Sequence, residues 1–314
     1  MPDYGHEIEF GYFLVPDASD PEGVVETAML ADRLGYDLLA VQDHPYQHRH
    51  LDTLSLLAFI LAGTQRIHVF QAVGNLPLRP PAVFAKAAAT LDQLSGGRFE
   101  AGLGAGGYLE PVRAMGGPAL TAGESLEALE EAVAIIRASW SGESGLRFEG
   151  RHYRLNGLKP GPLPAHPIAI WLGAAKPRAL ALTGRVADGW VAPLMNYMPP
   201  AQLPAAQEAI DRAARGAGRD PRAIRRIELV VGAFADEAPA PARDTDQAIL
   251  GPPDHWTDVL AHLALDHGLG TFILVGPPDP DALRPFIEDV APEVRERVAV
   301  DRARTARAAQ RRWA

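Results

Sequence analysis

The sequence predicts a (β/α)8 TIM barrel, an α/β fold in which eight parallel strands alternate with helices. Three observations support this fold. Eight strand–helix units follow one another along the chain, its 314 residues suit one barrel with insertions, and polar or glycine-rich segments follow several strands, where a barrel carries its functional site. A doubly wound open sheet is the alternative, but Val15-Pro16-Asp17 stands where such a sheet carries its first glycine-rich turn.

The first half of the chain supplies four of these units. Apolar alternation predicts the strands, and helical periodicity with capping residues predicts the helices. Asp20-Pro21, for example, is a cap followed by a proline at the first helical position. The predicted strands cover residues 9–14, 38–41, 67–73 and 98–103, and the predicted helices cover residues 21–35, 52–63 and the segment that ends at Gly96.

The second half begins with an irregular insertion after the fourth strand. Thr121 and Glu124 form a capping box that opens the next helix, and we expect a second insertion over residues 141–166, with a small hairpin over residues 146–155. The remaining strands are predicted over residues 168–172, 190–192, 227–234 and 271–275, and the helices over residues 177–186, 204–216, 255–267 and 280–296. We expect one domain over residues 1–298 and a basic tail over residues 299–314, which would form a solvated or subunit-capping helix.

The composition limits the classes of partner. A formal net charge of −9 argues against a nucleic-acid partner, because phosphate binding requires a basic face. The absence of cysteine excludes disulfides and thiolate chemistry and fits a reducing compartment. No apolar segment suited to export or membrane insertion is found. We therefore expect a cytoplasmic protein that acts on a small molecule.

Two polar residues follow the second strand and one follows the third. His44 stands directly after a buried strand at the catalytic face of the predicted barrel, so it is a candidate acid–base group, with a structural histidine as the alternative. Asp43 either caps the next turn or orients His44. Asn75 occupies the exit of the third strand.

The fourth and fifth strands end in small residues. At Gly104 to Gly107, bare backbone would let a flat or phosphorylated ligand approach main-chain N–H groups, although a tight turn is the plain alternative. After the fifth strand, a helix amino terminus with two nearby cations favours a phosphate. A tightly packed turn with solvent-exposed cations is the alternative at that segment, Gly173-Ala174-Ala175-Lys176-Pro177-Arg178.

His44, His48 and His50 also suggest a metal-dependent hydrolase, since imidazoles are common metal ligands. The fourth and fifth strand exits, however, offer glycine and alanine where such a hydrolase would supply further ligands. We therefore expect no metal and place His48 and His50 at the surface or at the pocket rim.

Four motifs together carry a family resemblance. They are Ala-Asp-Arg-Leu-Gly-Tyr-Asp before the second strand with Asp43-His44 after it, Leu-Asp-x-Leu-Ser-Gly-Gly-Arg-Phe at residues 91–99, Gly102-x-Gly104-x-Gly106, and Ala-Asp-Gly-Trp at residues 187–190. From Phe10 to about Val298 the chain resembles the bacterial luciferase-like superfamily. The resemblance implies a TIM barrel that binds FMN or coenzyme F-420, and therefore a flavin-type oxidoreductase.

The resemblance also implies roles for individual residues. His44 corresponds to the active-site histidine beside the cofactor ring, and a non-proline cis peptide is expected at Ala72–Val73. The implied cofactor-binding residues form three groups. The bulge behind the ring consists of Ala72, Val73 and Asn75, and the backbone floor consists of Gly104 and Gly106. The phosphate side consists of Gly173, Ala174 and Ala175 with Lys176 or Arg178.

The same resemblance bears on cofactor and substrate. An aspartate before His44 resembles deazaflavin members and favours coenzyme F-420 over FMN. Sugar-phosphate dehydrogenases of the family carry a glutamate at about Gly107 and a tryptophan near His48, and this chain has neither. We expect hydride transfer or monooxygenation of a small organic substrate by a homodimer, with a separate flavin reductase if reduced FMN is used. A catalytically silent cofactor-binding relative is the alternative.

Overall fold

Eight parallel strands form a closed barrel in the computed structural model, which describes residues 3–237, 248–276 and 280–313, without the side chains of residues 280–281 and 309–313. The barrel order is β1, β2, β3, β5, β8, β9, β10 and β12, and β12 pairs with β1 to close the ring. The predicted fold class is thus confirmed. The strands are β1 (Glu9–Leu14), β2 (Leu38–Val41), β3 (His68–Gln71), β4 (Gly74–Asn75), β5 (Phe99–Gly104), β6 (Leu146–Glu149), β7 (Arg154–Leu158), β8 (Ile170–Gly173), β9 (Gly189–Val191), β10 (Arg225–Phe234), β11 (Ile249–Gly251) and β12 (Thr271–Val275).

Helices surround this barrel, and their starts follow the capping signals in the sequence. The Asp20 side chain accepts a hydrogen bond from the Gly23 N–H, and both hydrogen bonds of the Thr121–Glu124 capping box are present. The helices are α1 (Pro21–Leu34), α2 (Thr53–Gly63), α3 (Pro81–Ser95), α4 (Leu109–Ala114), α5 (Ala122–Ser139), α6 (Pro177–Val186), α7 (Leu203–Gly216), α8 (Pro253–His267), α9 (Pro280–Pro285) and α10 (Ala291–Trp313). None of the helices in the described ranges has the length and apolar character needed to cross a bilayer.

The core has two layers, because successive side chains of a buried strand point to opposite faces. Val69 packs outward under the helices, whereas Phe70 packs inside the barrel, where it meets Trp171 edge-on at 4.8 Å between ring centroids. Since large side chains fill the barrel interior, a ligand site is restricted to the loops at the strand ends.

The third barrel strand differs from the prediction. A continuous strand over residues 67–73 is wrong, because regular pairing stops at Gln71 and resumes only at β4, which pairs with β5. The Ala72–Val73 peptide between them is cis, as predicted. The Gln71 carbonyl oxygen lies so close to Gly102 that a Cβ there would be 1.8 Å away. Close approach of two backbones therefore shapes this bulge.

Three further segments depart from the prediction. The insertion after β5 contains α4, and β11 adds to the edge of β10. The last helix does not end at residue 296: a π-helical turn at Phe286–Val290 leads into α10, which continues to Trp313. The predicted domain boundary between residues 298 and 299 therefore falls within one helix. The division into a domain and a basic tail stays a prediction. Residue 314, the last residue of the predicted tail, lies outside the described part of the chain. The predicted hairpin is present as the antiparallel pair β6–β7.

The motif at residues 91–99 lies at the amino-terminal end of the barrel, where it ties elements together. Asp92 accepts hydrogen bonds from the N–H groups of Ala165 and His166, at 2.6 and 3.0 Å. The Arg98 guanidinium donates to the carbonyl oxygens of Leu61 and Ile67, at 2.9 and 3.2 Å. The most family-specific motif of the chain is thus structural.

His166 lies between two carboxylates at this end of the barrel. Its Nδ1 is 2.7 Å from Asp92 Oδ1, and its Nε2 is 3.1 Å from Glu100 Oε1. The hydrogen bond with Glu100, together with the negative charges of both carboxylates, raises the pKa of His166, against the opposing effect of burial. The folded state therefore favours the imidazolium form.

We expect this imidazolium to make stability depend on pH. Because the folded-state pKa of His166 is raised, its stabilising contribution is complete below about pH 6.5 and is lost as pH rises through the raised pKa. The pH dependence can be measured by thermal melting of wild type and His166→Gln between about pH 5.5 and about pH 9. The difference in stability between the two proteins should shrink as pH rises. His48→Gln, an exposed histidine, is the control. A difference that grows with pH would contradict the assignment.

A buried ion pair joins β10 to α7. Arg226 is 0% exposed, and its Nη2 donates to Asp211 Oδ1 at 2.7 Å. The same carboxylate oxygen accepts a hydrogen bond from the Tyr4 hydroxyl, and the Arg226 guanidinium lies over the Tyr4 ring at 4.4 Å. The pair therefore connects the barrel, an outer helix and the amino-terminal segment.

Candidate active site

A cavity of about 390 Å³ lies at the carboxyl ends of the barrel strands. It is bounded by the segment after β2, the bulge after β3, the glycine-rich exit of β5, the start of α5 and the end of β8. Eight of the predicted site residues line it: Asp43, His44, Ala72, Val73, Asn75, Gly104, Gly106 and Gly173. Larger cavities of about 880 Å³ beside α1 and about 590 Å³ at the amino ends of the strands contain none of them.

One wall of this cavity is nearly all backbone. A Cβ on Gly104 or on Gly173 would lie 2.8 Å from Val73 Cγ2, so both positions require glycine while Val73 keeps its place. Gly106 has φ +80°, and a Cβ there would lie 2.6 Å from Pro77 Cγ. The wall therefore presents main-chain groups to a ligand, as a flat ring system requires.

His44 is half-buried on the opposite side. Its Nδ1 lies 3.2 Å from Gln42 Nε2. In this amide orientation Gln42 is the donor, which places the proton of the neutral imidazole on Nε2. Burial, reinforced by the nearby His50, lowers the pKa of His44, against the opposing charge of Asp43. At neutral pH, His44 is therefore an uncharged hydrogen-bond donor.

Two tyrosines pack against His44. The Tyr46 ring stacks on it at 5.4 Å between centroids, and the Tyr108 ring meets it edge-on at 5.5 Å. Burial raises the pKa of Tyr46 to about 12, with the neighbouring Tyr108 and Asp43 adding to it. Its hydroxyl therefore stays protonated at neutral pH. Sequence reasoning did not single out these two residues for the site, because their roles depend on contacts across two loops.

The contacts of Asp43 are with the bulge and with an arginine. Its carboxylate is 1% exposed and accepts hydrogen bonds from the Asn75 N–H at 2.9 Å and from Arg79 Nε and Nη2 at 3.2 and 3.0 Å. Arg79 and the bulge backbone bind both oxygens, so any effect of Asp43 on the orientation of His44 is indirect, through the backbone of the segment that they share. The predicted capping role stays a prediction. Arg79 was missed, and its place in the proline-rich loop after Asn75 was the only signal in the sequence.

The segment after Gly173 leads away from the cavity. The Ala174 carbonyl accepts a hydrogen bond from the Trp190 indole N–H at 2.9 Å. Ala175, Lys176 and Arg178 are exposed, and Arg178 Nη2 lies 4.0 Å from Glu127 Oε1 on α5. Of the predicted phosphate side, only Gly173 lines the cavity. The other four predicted residues, Ala174, Ala175, Lys176 and Arg178, do not line it, and of these Arg178 lies beside α5, at Glu127.

The amino terminus of α5 completes the cavity and was not predicted as part of the site. Ala122 and Ser125 line the cavity. Ser125 is 3% exposed, and its Oγ has no hydrogen-bond partner among the described residues. Ala122 and Gly123 are the first two residues of α5, where a helix leaves its N–H groups without intrahelical partners. Because a helix amino terminus favours negative charge, this end of the cavity suits a phosphate.

These features fit a phosphorylated flavin-type cofactor. A backbone wall faces a half-buried imidazole, and one end offers helix N–H groups and an unpaired hydroxyl. The Oδ1 of Asn75, next to the bulge, is also buried without a partner in the described chain. A metal centre has less support, since no group of three or more His, Asp or Glu side chains within the described ranges is placed to hold a metal ion.

Comparisons with known proteins bear on the family and on the fold of this chain. The sequence model of the family described as luciferase-like monooxygenase matches residues 8–262. An F-420-dependent glucose-6-phosphate dehydrogenase from Nakamurella multipartita is 32% identical over 219 residues, which are 66% of this chain and 63% of that protein. The match thus spans less than two thirds of that relative. A 5,10-methylenetetrahydromethanopterin reductase from Methanolobus tindarius is 32% identical over 255 residues, which are 78% of this chain and 72% of that protein.

Among solved structures, an F-420-dependent secondary alcohol dehydrogenase in complex with an F-420–acetone adduct superposes with a TM-score of 0.80. The two sequences are 19% identical, and the superposition covers 92% of this chain and 99% of the other. At this identity the likeness establishes the fold alone.

Proposed function

Because this chain belongs to the luciferase-like monooxygenase family, we propose that it binds coenzyme F-420, or else reduced FMN, and transfers a hydride to or oxygenates a small organic substrate. Its class, a luciferase-like oxidoreductase, follows from the family and its relatives. The observation that carries the finer proposal is the cavity in which the bulge, the glycine wall and His44 meet.

Residues on three sides of the cavity would hold the cofactor. Ala72 and Val73 would support the ring from behind, with Gly104 and Gly106 as a floor. The phosphate would lie at the start of α5, beside Ser125 and Gly173. Arg178 would add positive charge if its guanidinium turned from Glu127 toward the phosphate. The exposed Lys176 is a second cation two residues before it.

The bound cofactor would supply the redox chemistry, as hydride transfer or oxygen activation. The chain itself would take part in proton transfer through His44. With its proton on Nε2, neutral His44 is suited to donate a hydrogen bond to an oxygen of the substrate. With the Gln42 amide turned so that its Oε1 accepts from Nδ1–H, the free Nε2 could accept a proton from the substrate and later return it. The substrate class stays open, but Gly107 and His48 depart from the sugar-phosphate dehydrogenase pattern and make a sugar phosphate a poor candidate.

We expect coenzyme F-420 to bind more tightly than FMN. Asp43 precedes His44 as in deazaflavin members, and the glucose-6-phosphate dehydrogenase reported above is named as F-420-dependent. Fluorescence titration of the purified chain with each oxidised cofactor at equal salt decides between them. Tighter binding of FMN would favour the alternative, a reduced-FMN monooxygenase with a separate reductase. Binding without turnover of any substrate would favour a silent relative.

A second prediction tests the phosphate end. Ser125→Ala should weaken either cofactor by about 1–2 kcal/mol, roughly tenfold, because a hydrogen bond to a charged group is lost. Arg178→Ala should weaken both by about 1–3 kcal/mol if its guanidinium turns from Glu127 to the phosphate. The matched control is Ser139→Ala, since Ser139 is a buried serine of the same helix that donates to the Ile135 carbonyl. Equal affinities for wild type and Ser125→Ala would place the phosphate elsewhere.

The homodimer and the cytoplasmic location expected from the sequence remain predictions within this proposal. Light scattering of the purified chain measures the first. A separate flavin reductase is required only if the chain uses reduced FMN.

A further inference from the structure

One arginine connects three segments that surround the cavity. Arg79 follows the bulge, and its guanidinium binds the Asp43 carboxylate through Nε and Nη2, at 3.2 and 3.0 Å. Nη2 also donates to Asp52 Oδ2 at 2.9 Å. Asp52 caps α2, because its Oδ1 accepts a hydrogen bond from the Ser55 N–H at 2.9 Å. Arg79 therefore links the segment after β2, the bulge and the start of α2.

The inner half of this connection is buried. The Asp43 side chain is 0% exposed, and the Arg79 side chain is 16% exposed. Asp43 Oδ2 accepts at the same time from the Asn75 N–H, so the ion pair holds the backbone of the bulge. His44 is the next residue in the chain. One carboxylate thus fixes both the wall behind the expected ring and the start of the segment that carries the histidine.

We propose that Arg79 is a positioning residue that fixes the Asp43 side chain and thereby holds the bulge at Asn75 and the His44 segment in register for the cofactor. This inference rests on the proposed function, because it takes the cavity to be the cofactor site. Arg79 itself does not line the cavity. It acts only through Asp43.

The proposal predicts a specific failure when Arg79 loses its charge. In Arg79→Gln, Asp43 is a buried carboxylate without a counter-charge, which is strongly unfavourable. At high pH the carboxylate must reach water, and the bulge shifts with it. At low pH Asp43 takes up a proton and remains in place as a neutral acid. Cofactor affinity of this variant should therefore rise as pH falls.

The experiment is fluorescence titration with coenzyme F-420, and in parallel with FMN, between about pH 5.5 and about pH 8.5. Arg79→Gln should bind about 10- to 100-fold more weakly than wild type at the upper pH and recover most of this loss at the lower pH. The double variant Asp43→Asn/Arg79→Gln has no buried charge, so it should bind more tightly than Arg79→Gln at high pH and lack its pH dependence. The charge of Asp43 acts on the pKa of His44 and of Tyr46, and Asp52 binds the same guanidinium. All three residues are present in both variants, so the difference between the variants isolates Asp43.

The control is Arg185→Gln, whose guanidinium pairs with Glu130 on the outer surface. It should match wild type at every pH. The inference is overturned if Arg79→Gln keeps wild-type affinity throughout, or if the double variant is no better than the single one, because Arg79 would then be merely structural. A wild-type chain that binds neither cofactor would contradict the proposed function and, with it, this inference.

Discussion

Replacing His44 by alanine is expected to lower turnover by about 10²- to 10⁴-fold, the usual effect of losing a group that transfers a proton. Cofactor affinity should change little, because the expected binding contacts are backbone groups and the phosphate end of the cavity. The measurement pairs steady-state kinetics with a cofactor titration, using whichever small alcohol or carbonyl compound in a panel the wild type turns over fastest.

The matched control for this variant is His48→Ala, since His48 belongs to the same segment but is exposed and does not line the cavity. It should keep wild-type turnover. Unchanged turnover in His44→Ala would make His44 a structural histidine. A large fall in melting temperature would point the same way, because the lost activity would then reflect unfolding.

Replacing Arg226 by alanine is expected to lower the free energy of unfolding by about 3–5 kcal/mol, the usual cost of removing one partner of a buried ion pair. The variant leaves the Asp211 carboxylate buried beside Tyr4, and it also removes the contact of the guanidinium with the Tyr4 ring. Urea denaturation, followed through the midpoint and slope, measures the change.

Arg215→Ala supplies the comparison for this second prediction. Arg215 contacts the other oxygen of the same carboxylate at 3.3 Å, but its side chain is 63% exposed. Its loss should cost less than about 1 kcal/mol, because water screens an exposed pair. If both variants lower the free energy of unfolding equally, the burial of Arg226 does not explain how much its ion pair with Asp211 stabilises the fold.

The barrel could be predicted because its strands are short apolar runs between clear stop signals. The strands at residues 9–14, 38–41 and 271–275 have the observed bounds. Gly270 and Gly276 flank the last of them, Gly35 ends the helix before the second, and Pro16 follows the first. The bulge after β3 could not be derived in this way. Residues 67–73 look like one uninterrupted strand, and only the contact of Gly102 with the Gln71 carbonyl, about thirty residues apart in sequence, decides where pairing stops. The family resemblance alone indicated the cis peptide.

Part of the site could be predicted for a similar reason. His44 and the glycines could be found because each follows a predicted strand directly in the sequence, and a barrel carries its site at the strand ends. The partners of Asp43 and the contribution of Ser125 depend on segments that meet only in the folded barrel, so sequence reasoning missed Arg79 and its contact with Asp43. Conversely, the motif at residues 91–99 identified the family although Asp92 and Arg98 lie at the opposite end of the barrel from the cavity.

The residues that line the cavity differ in how freely they can be substituted during evolution. Those of the backbone wall, Gly104, Gly173 and Val73, are constrained by one another. Any side chain added at Gly104 or Gly173 meets Val73, so a change at one of these three positions demands compensating changes at the others. The rest of the lining consists of side chains, among them Tyr46 after β2 and Tyr108 and Leu109 at the start of α4. The two tyrosine rings contact each other at 5.9 Å between centroids, so they should be exchanged together. New substrate ranges should therefore arise from these side chains, and mutant libraries aimed at altered specificity should randomise those three positions and leave the glycines and Val73 as they are.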